Sequence, residues 1–92
     1  MQIKNIKLSS MSNESIKNEI RQYLKESIVQ DESMIIDDNT PLISGGLMDS
    51  ISTLKMVGYI EQKYGIEFQP HEVDRENLET LELITNFIGS KL

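Results

Sequence analysis

The 92-residue sequence contains no cysteine and no tryptophan, only two prolines, one histidine and an excess of acidic over basic residues. Without cysteine, neither a disulfide nor a thiolate metal site can brace the chain, and any thiol chemistry must come from an added group. Its length sets one domain as the expected count, with a modest core and little spare stability. Nine Lys and Arg against 15 Asp and Glu leave a formal charge of −6. That balance argues against nucleic acid as a partner and suits basic patches on other proteins, besides favouring solubility. The uninterrupted apolar runs are too short for a membrane span. Residues 1–11 include Lys4 and Lys7 but no apolar stretch of the kind found in a secretory signal, so the chain is expected to be cytoplasmic.

Residues 1–11 read as an N-terminal tail, and residues 12–92 as one domain. A first amphipathic helix is expected over 13–30, capped by Ser12 or Asn13. Ile16, Ile20, Tyr23, Leu24 and Ile28 recur on one face at steps of three and four, with Lys17, Arg21 and Lys25 as a basic stripe on another. Residues 31–49 combine turn formers (Asp31, Asp37, Asp38, Asn39, Pro41, Gly45, Gly46) with apolar residues that would pin a long loop to the core. A second helix is expected over 50–64 and ends at Gly65. Its core stripe is Thr53, Met56, Val57, Ile60 and Tyr64, while Ile51 and Leu54 lead toward Gly58 on a neighbouring face. Ile66 and Phe68 alternate only briefly before Pro70. One or two short turns follow, with Asp74 as a possible cap. Thr80 then caps a last helix through Leu81, Ile84, Phe87 and Ile88, which ends at Gly89. The expected fold is all-α: a small four-helix bundle of three main helices and a short third one, with a long loop between the first two.

Little in this sequence suggests catalysis. A calcium loop starting at Asp37 would need Gly at its sixth position and Glu at its twelfth, where Leu42 and Met48 stand. The acids of the loop then read as solvated turn residues. His71, after Pro70, has no Cys or Ser-Asp constellation to join. No catalytic residue and no resident metal site is assigned.

The informative stretch is Gly45-Gly46-Leu47-Met48-Asp49-Ser50-Ile51. Ser50 alone is an ordinary helix N-cap. Its setting adds meaning. Two glycines let the backbone turn tightly just before the helix, and the hydroxyl then lies exposed at the positive helix end. A phosphodiester there would meet free amide N–H groups. Asp49 is placed to help hold a divalent metal during phosphate transfer by a partner enzyme. Ile51 and Leu54 offer that partner an apolar grip.

With Glu61 eleven residues after the serine, then Tyr64-Gly65-Ile66 and Thr80-Leu81, this stretch resembles the acyl and peptidyl carrier proteins over roughly residues 14–90. The Gly-Leu-X-Asp-Ser core and Val73-Asp74-Arg75 are most similar to freestanding carriers of the D-alanyl carrier type. The resemblance implies a 4'-phosphopantetheine arm attached to Ser50 by a phosphopantetheinyl transferase using coenzyme A and magnesium. It further implies an acyl or aminoacyl thioester on the arm's thiol, an activating ligase and downstream acyl-transfer enzymes as partners, and a monomeric carrier without activity of its own. Ile51 stands where the family usually has Leu. Lys55 and Lys63 interrupt a helix that is acidic in fatty-acid-synthesis carriers, and Gly58 replaces a bulkier contact residue. Ile51, Leu54, Lys55 and Gly58 are thus the expected partner-binding residues, in a specialised biosynthetic pathway. The alternatives are a housekeeping fatty-acid carrier and an unmodified carrier-like interaction domain.

Overall fold

The computed structural model describes residues 12–92, so the expected N-terminal tail lies outside the described residues. Among these described residues four α-helices follow one another: α1 (Asn13–Tyr23), α2 (Ser50–Tyr64), the single turn α3 (Arg75–Leu78) and α4 (Leu81–Lys91). A 3₁₀ turn, Pro70–Glu72, precedes α3, and no strand occurs among the described residues. The architecture is the small helical bundle read from the periodicity.

The first helix is α-helical only to Tyr23, where a π-helical turn, Leu24–Ile28, takes over the rest of the expected span. The chain leaves it through Gln30, whose φ of 60° does the terminating work more often given to glycine. Ser12 provides the cap, its hydroxyl accepting from the Ser15 amide at 3.1 Å. At the far end of the chain Thr80 caps α4 through the Leu83 amide at 3.1 Å. That helix continues through Gly89 to Lys91 instead of stopping at the glycine.

Ile16, Ile20 and Leu24 from the first helical segment pack with Met56, Ile60 and Tyr64 of α2 and with Leu81, Ile84 and Ile88 of α4. Each fully buried Ile or Leu contributes roughly 1.5–3 kcal/mol. Tyr23 and Ile28, expected in the core stripe, lie at its margin, half-buried; Tyr23 stacks on Tyr59 with ring centroids 3.9 Å apart. Thr53 is likewise only half-buried.

Two members of the basic stripe of the first helix, Lys17 and Arg21, are engaged by the long loop and α4. Lys17 is buried, and its ammonium donates to Asp38 at 2.8 Å and to Glu82 at 3.0 Å. Arg21 reaches the same Asp38 at 2.9 Å and the Ile36 carbonyl at 2.9 Å. Asp38 is therefore no solvated turn acid. It joins the long loop to α1 and, through Lys17, to α4. Helical spacing placed Lys17 on the polar flank, but periodicity cannot show that a loop acid covers that flank.

Ile36, Leu42 and Met48 of the loop are buried, while Met34, Ile43 and Leu47 are partly so, as a pinned loop requires. Ile35 departs from that reading and is 82% exposed. Backbone bonds fix the loop further: the Leu42 amide donates to the Glu79 carbonyl at 2.7 Å, the Met48 amide to Leu42 at 2.8 Å and the Glu82 amide to Asp38 at 3.1 Å.

Candidate functional site

The site is the start of α2 and the turn before it. Ile43 to Gly46 form a turn closed by the Gly46 amide on the Ile43 carbonyl at 3.1 Å. A Cβ on Gly45 would sit 2.2 Å from the Pro41 carbonyl oxygen, so only glycine fits there. Gly46 adopts φ +84°, a left-handed conformation that any side chain would strain. Met48 then buries its side chain and anchors the chain immediately before the helix.

Asp49, and not Ser50, is the N-cap. Its carboxylate accepts from the Ser52 amide at 2.8 Å, and the Ser52 hydroxyl accepts from the Asp49 amide at 2.9 Å, giving a reciprocal capping box. The Thr53 amide is taken by the Asp49 carbonyl at 2.9 Å. The cap therefore removes the Ser52 amide from the row of free amides expected for an anion. A sequence with Asp and Ser at adjacent positions does not reveal which of them caps. The Ser at position 52, three residues after Asp49, was the available signal for Asp49.

With capping done by its neighbour, Ser50 is the first helical residue. It is exposed, and its hydroxyl has no hydrogen-bond partner among the described residues. An open cleft runs beside it between α2 and α3, walled by Ile43, Leu54 and Val73, with Asp74 and Arg75 also lining it. Asp74 occupies the N-cap position of α3 without a side-chain capping bond. An exposed, unengaged hydroxyl next to an open, largely apolar cleft suits a long, flexible substituent on that oxygen.

Ile51 is 73% exposed and Leu54 61% exposed, both beside Ser50. Lys55 and Gly58 are also exposed and line a second shallow groove with Tyr23 and Tyr59. Lys63, the other cation of α2, lies 3.7 Å from Glu19. His71 is exposed and does not line Ser50's cleft. Among the described residues no group of three His, Asp or Glu side chains is placed to hold a metal ion, and no helix is long and apolar enough to cross a membrane.

Sequence reasoning missed Glu79, which follows α3. Its carboxylate accepts from the amides of Ile43 and Ser44, both at 3.1 Å, and from the Ser44 hydroxyl. No local pattern links it to a turn some 35 positions earlier.

Several of these carboxyls are held below their ordinary range. For Asp49 the main cause is the Ser52 amide, for Asp38 the bond from Lys17, and for Glu79 the bond from the Ser44 hydroxyl. A group whose folded pKa is depressed stabilises the fold above its unfolded value of about 4 and loses that contribution as pH falls through the folded value. Thermal midpoints should therefore be flat at neutral pH and fall below about pH 4. A midpoint that rises on acidification would contradict these assignments.

A family model described as "Phosphopantetheine attachment site" matches residues 14–88. Over 59 residues the chain is 34% identical to the D-alanyl carrier protein of Listeria welshimeri, an alignment taking in 64% of this chain and 76% of that protein. A solved structure described as the crystal structure of an FAD-dependent dehydrogenase has a chain of similar fold, with a TM-score of 0.69 and 26% identity. That match covers 75% of this chain and 97% of the other.

Proposed function

The chain belongs to the phosphopantetheine attachment-site family, and from that premise we propose that Ser50 carries the arm and that the cargo is an acyl or aminoacyl group of a specialised pathway. The function is that of a carrier protein with a covalently attached 4'-phosphopantetheine. The observation that carries the choice of residue is the pairing of an exposed Ser50 hydroxyl, unbonded among the described residues, with an aspartate that has taken over the capping role. The carrier domain is assigned to residues 12–92.

When bound, the group supplies a thiol that holds cargo as a thioester, and the sequence has no cysteine to compete with it. The residues of the chain do the rest. Ser50 Oγ would form a bond to the pantetheine-bearing phosphorus of coenzyme A as its pyrophosphate P–O bond breaks, its proton passing to the transferase and adenosine 3',5'-bisphosphate leaving. Asp49 fixes the helix start and keeps an acidic oxygen beside the reacting hydroxyl. The cleft walls of Ile43, Leu54 and Val73 offer apolar surface next to the attachment point. The carrier itself performs no chemistry on its cargo: a transferase attaches the arm, an activating ligase loads it and an acceptor enzyme takes the cargo. The Listeria relative is named for D-alanine, which supports an aminoacyl cargo here. Intact-mass measurement after incubation with coenzyme A, magnesium and a broad-specificity transferase should show the gain of one phosphopantetheine. An unchanged mass would favour the unmodified interaction domain. Subsequent loading with D-alanine and an adenylating ligase tests the cargo class.

Partner docking is assigned to the ridge of Ile51, Leu54, Lys55 and Gly58. Gly58 is the telling member. A glycine inside a helix costs about 1 kcal/mol relative to alanine, and a Cβ at this position would meet nothing within 4 Å. Nothing within the described fold repays that cost, so the bare backbone serves a surface that approaches from outside. Gly58→Ala should raise stability by about 0.5–1 kcal/mol while slowing cargo loading by the cognate ligase. Faster or unaltered loading in the stabilised variant would remove Gly58 from the docking ridge.

A further inference from the structure

Glu79 stands outside the attachment site in sequence, yet it holds the turn that delivers Ser50. The turn at Ile43–Gly46 has one internal hydrogen bond, from Gly46 to Ile43. Among the described residues the turn's other hydrogen bonds all go to this residue, while the Met48 amide on the Leu42 carbonyl closes the chain around it. One carboxylate oxygen accepts both the Ile43 and Ser44 amides at 3.1 Å, and the other accepts the Ser44 hydroxyl. The backbone carbonyl of Glu79 also takes the Leu42 amide at 2.7 Å. Three of these bonds go to an ionised carboxylate, and charge-assisted bonds are roughly twice as strong as neutral ones. The pinned segment is short and has no slack: Gly45 is pressed against the Pro41 carbonyl, Gly46 is left-handed, and Met48 is buried two residues before Ser50.

From this geometry we infer that Glu79 is a positioning residue for modification at Ser50. It pre-sets the Ile43–Gly46 turn so that a transferase meets the hydroxyl and the turn in one rigid arrangement. The inference rests on the reading that Ser50 is the modified residue. A transferase docking on the apo carrier must cover the start of α2 and, with it, the turn beside it. A loosened turn has to be ordered during encounter, and that ordering is charged against binding. The chemistry at the hydroxyl, once bound, is unaffected. Loss of Glu79 therefore weakens recognition of the carrier and leaves turnover of the bound carrier intact.

Steady-state modification by coenzyme A and transferase distinguishes this role from a merely structural one. Assays are run well below the melting midpoint of each variant, with helix content checked by circular dichroism. Glu79→Ala should raise KM for the apo carrier about tenfold while kcat stays within about twofold. Glu79→Gln keeps an oxygen for the two amides and should recover most of the loss. Ser44→Ala removes only the hydroxyl bond at an exposed position and should give a small rise in KM with an unaltered fold, so the inference remains testable if Glu79→Ala does not fold. Hydrogen exchange at the Ser44 and Gly46 amides should quicken in the same order as KM rises. A folded Glu79→Ala or Ser44→Ala carrier with wild-type KM, or a fall in kcat alone, overturns the inference. Failure of the wild-type chain to gain the arm would instead refute the attachment reading, which is a separate outcome.

Discussion

Ser50→Ala is expected to abolish the phosphopantetheine mass gain completely while leaving the fold almost untouched. The second half of that expectation depends on the geometry of the helix end. Were Ser50 the N-cap, its loss would cost about 1 kcal/mol. Asp49 holds that role, and Ser50 is an exposed first-turn residue whose hydroxyl bonds to nothing among the described residues. Alanine is the best helix former, so the variant's thermal midpoint should equal or slightly exceed that of the parent. Intact mass and a melting curve on the same preparation read both halves. Retained mass gain in Ser50→Ala would show that another residue is modified. A large loss of stability would show that the cap assignment is wrong.

Ile60→Ala is expected to have the largest effect on stability. Ile60 is fully buried in the core of the bundle, and truncating such a side chain costs about 2–5 kcal/mol. A domain of this size has total stability of about 5–15 kcal/mol, so the variant should unfold at much lower urea or be partly unfolded outright. Ile51→Ala removes the same atoms from a residue nine positions earlier on the same helix, yet Ile51 is 73% exposed. Its midpoint should move by no more than about 0.5 kcal/mol, while loading by partner enzymes slows. Urea denaturation of the pair checks which face of α2 is inside. Equal destabilisation of the two variants would contradict that assignment.

Much of this was legible before any coordinates. The bundle, the bounds of α2 and the inward stripe of Met56, Val57, Ile60 and Tyr64 follow from periods of three and four, which a helix buried on one side must show. The two glycines before Asp49 announced a tight turn. What was not legible is tertiary in origin. Lys17 falls where a helix surface should be, and only the path of the loop brings Asp38 and Glu82 onto it. Glu79 resembles any other acid near a helix end until the turn of Ile43 and Ser44 is seen to fold against it. The choice of Asp49 over Ser50 as cap is finer still, because both are good capping residues and one step of register decides between them. Gly89 reads as a stop, but in α4 the helix passes through it.

The capping box at Asp49 bears on how a carrier lets go. The positive end of a helix ordinarily attracts phosphate, and a phosphodiester on the first residue would be drawn back onto the backbone. Here the carboxylate already occupies that end and has bound the Ser52 amide. It presents its own negative charge to an incoming one. With the arm on Ser50, the charge of Asp49 would oppose the settling of its phosphate on the helix, and an enzyme drawing the arm away would have less hold at the helix end to overcome.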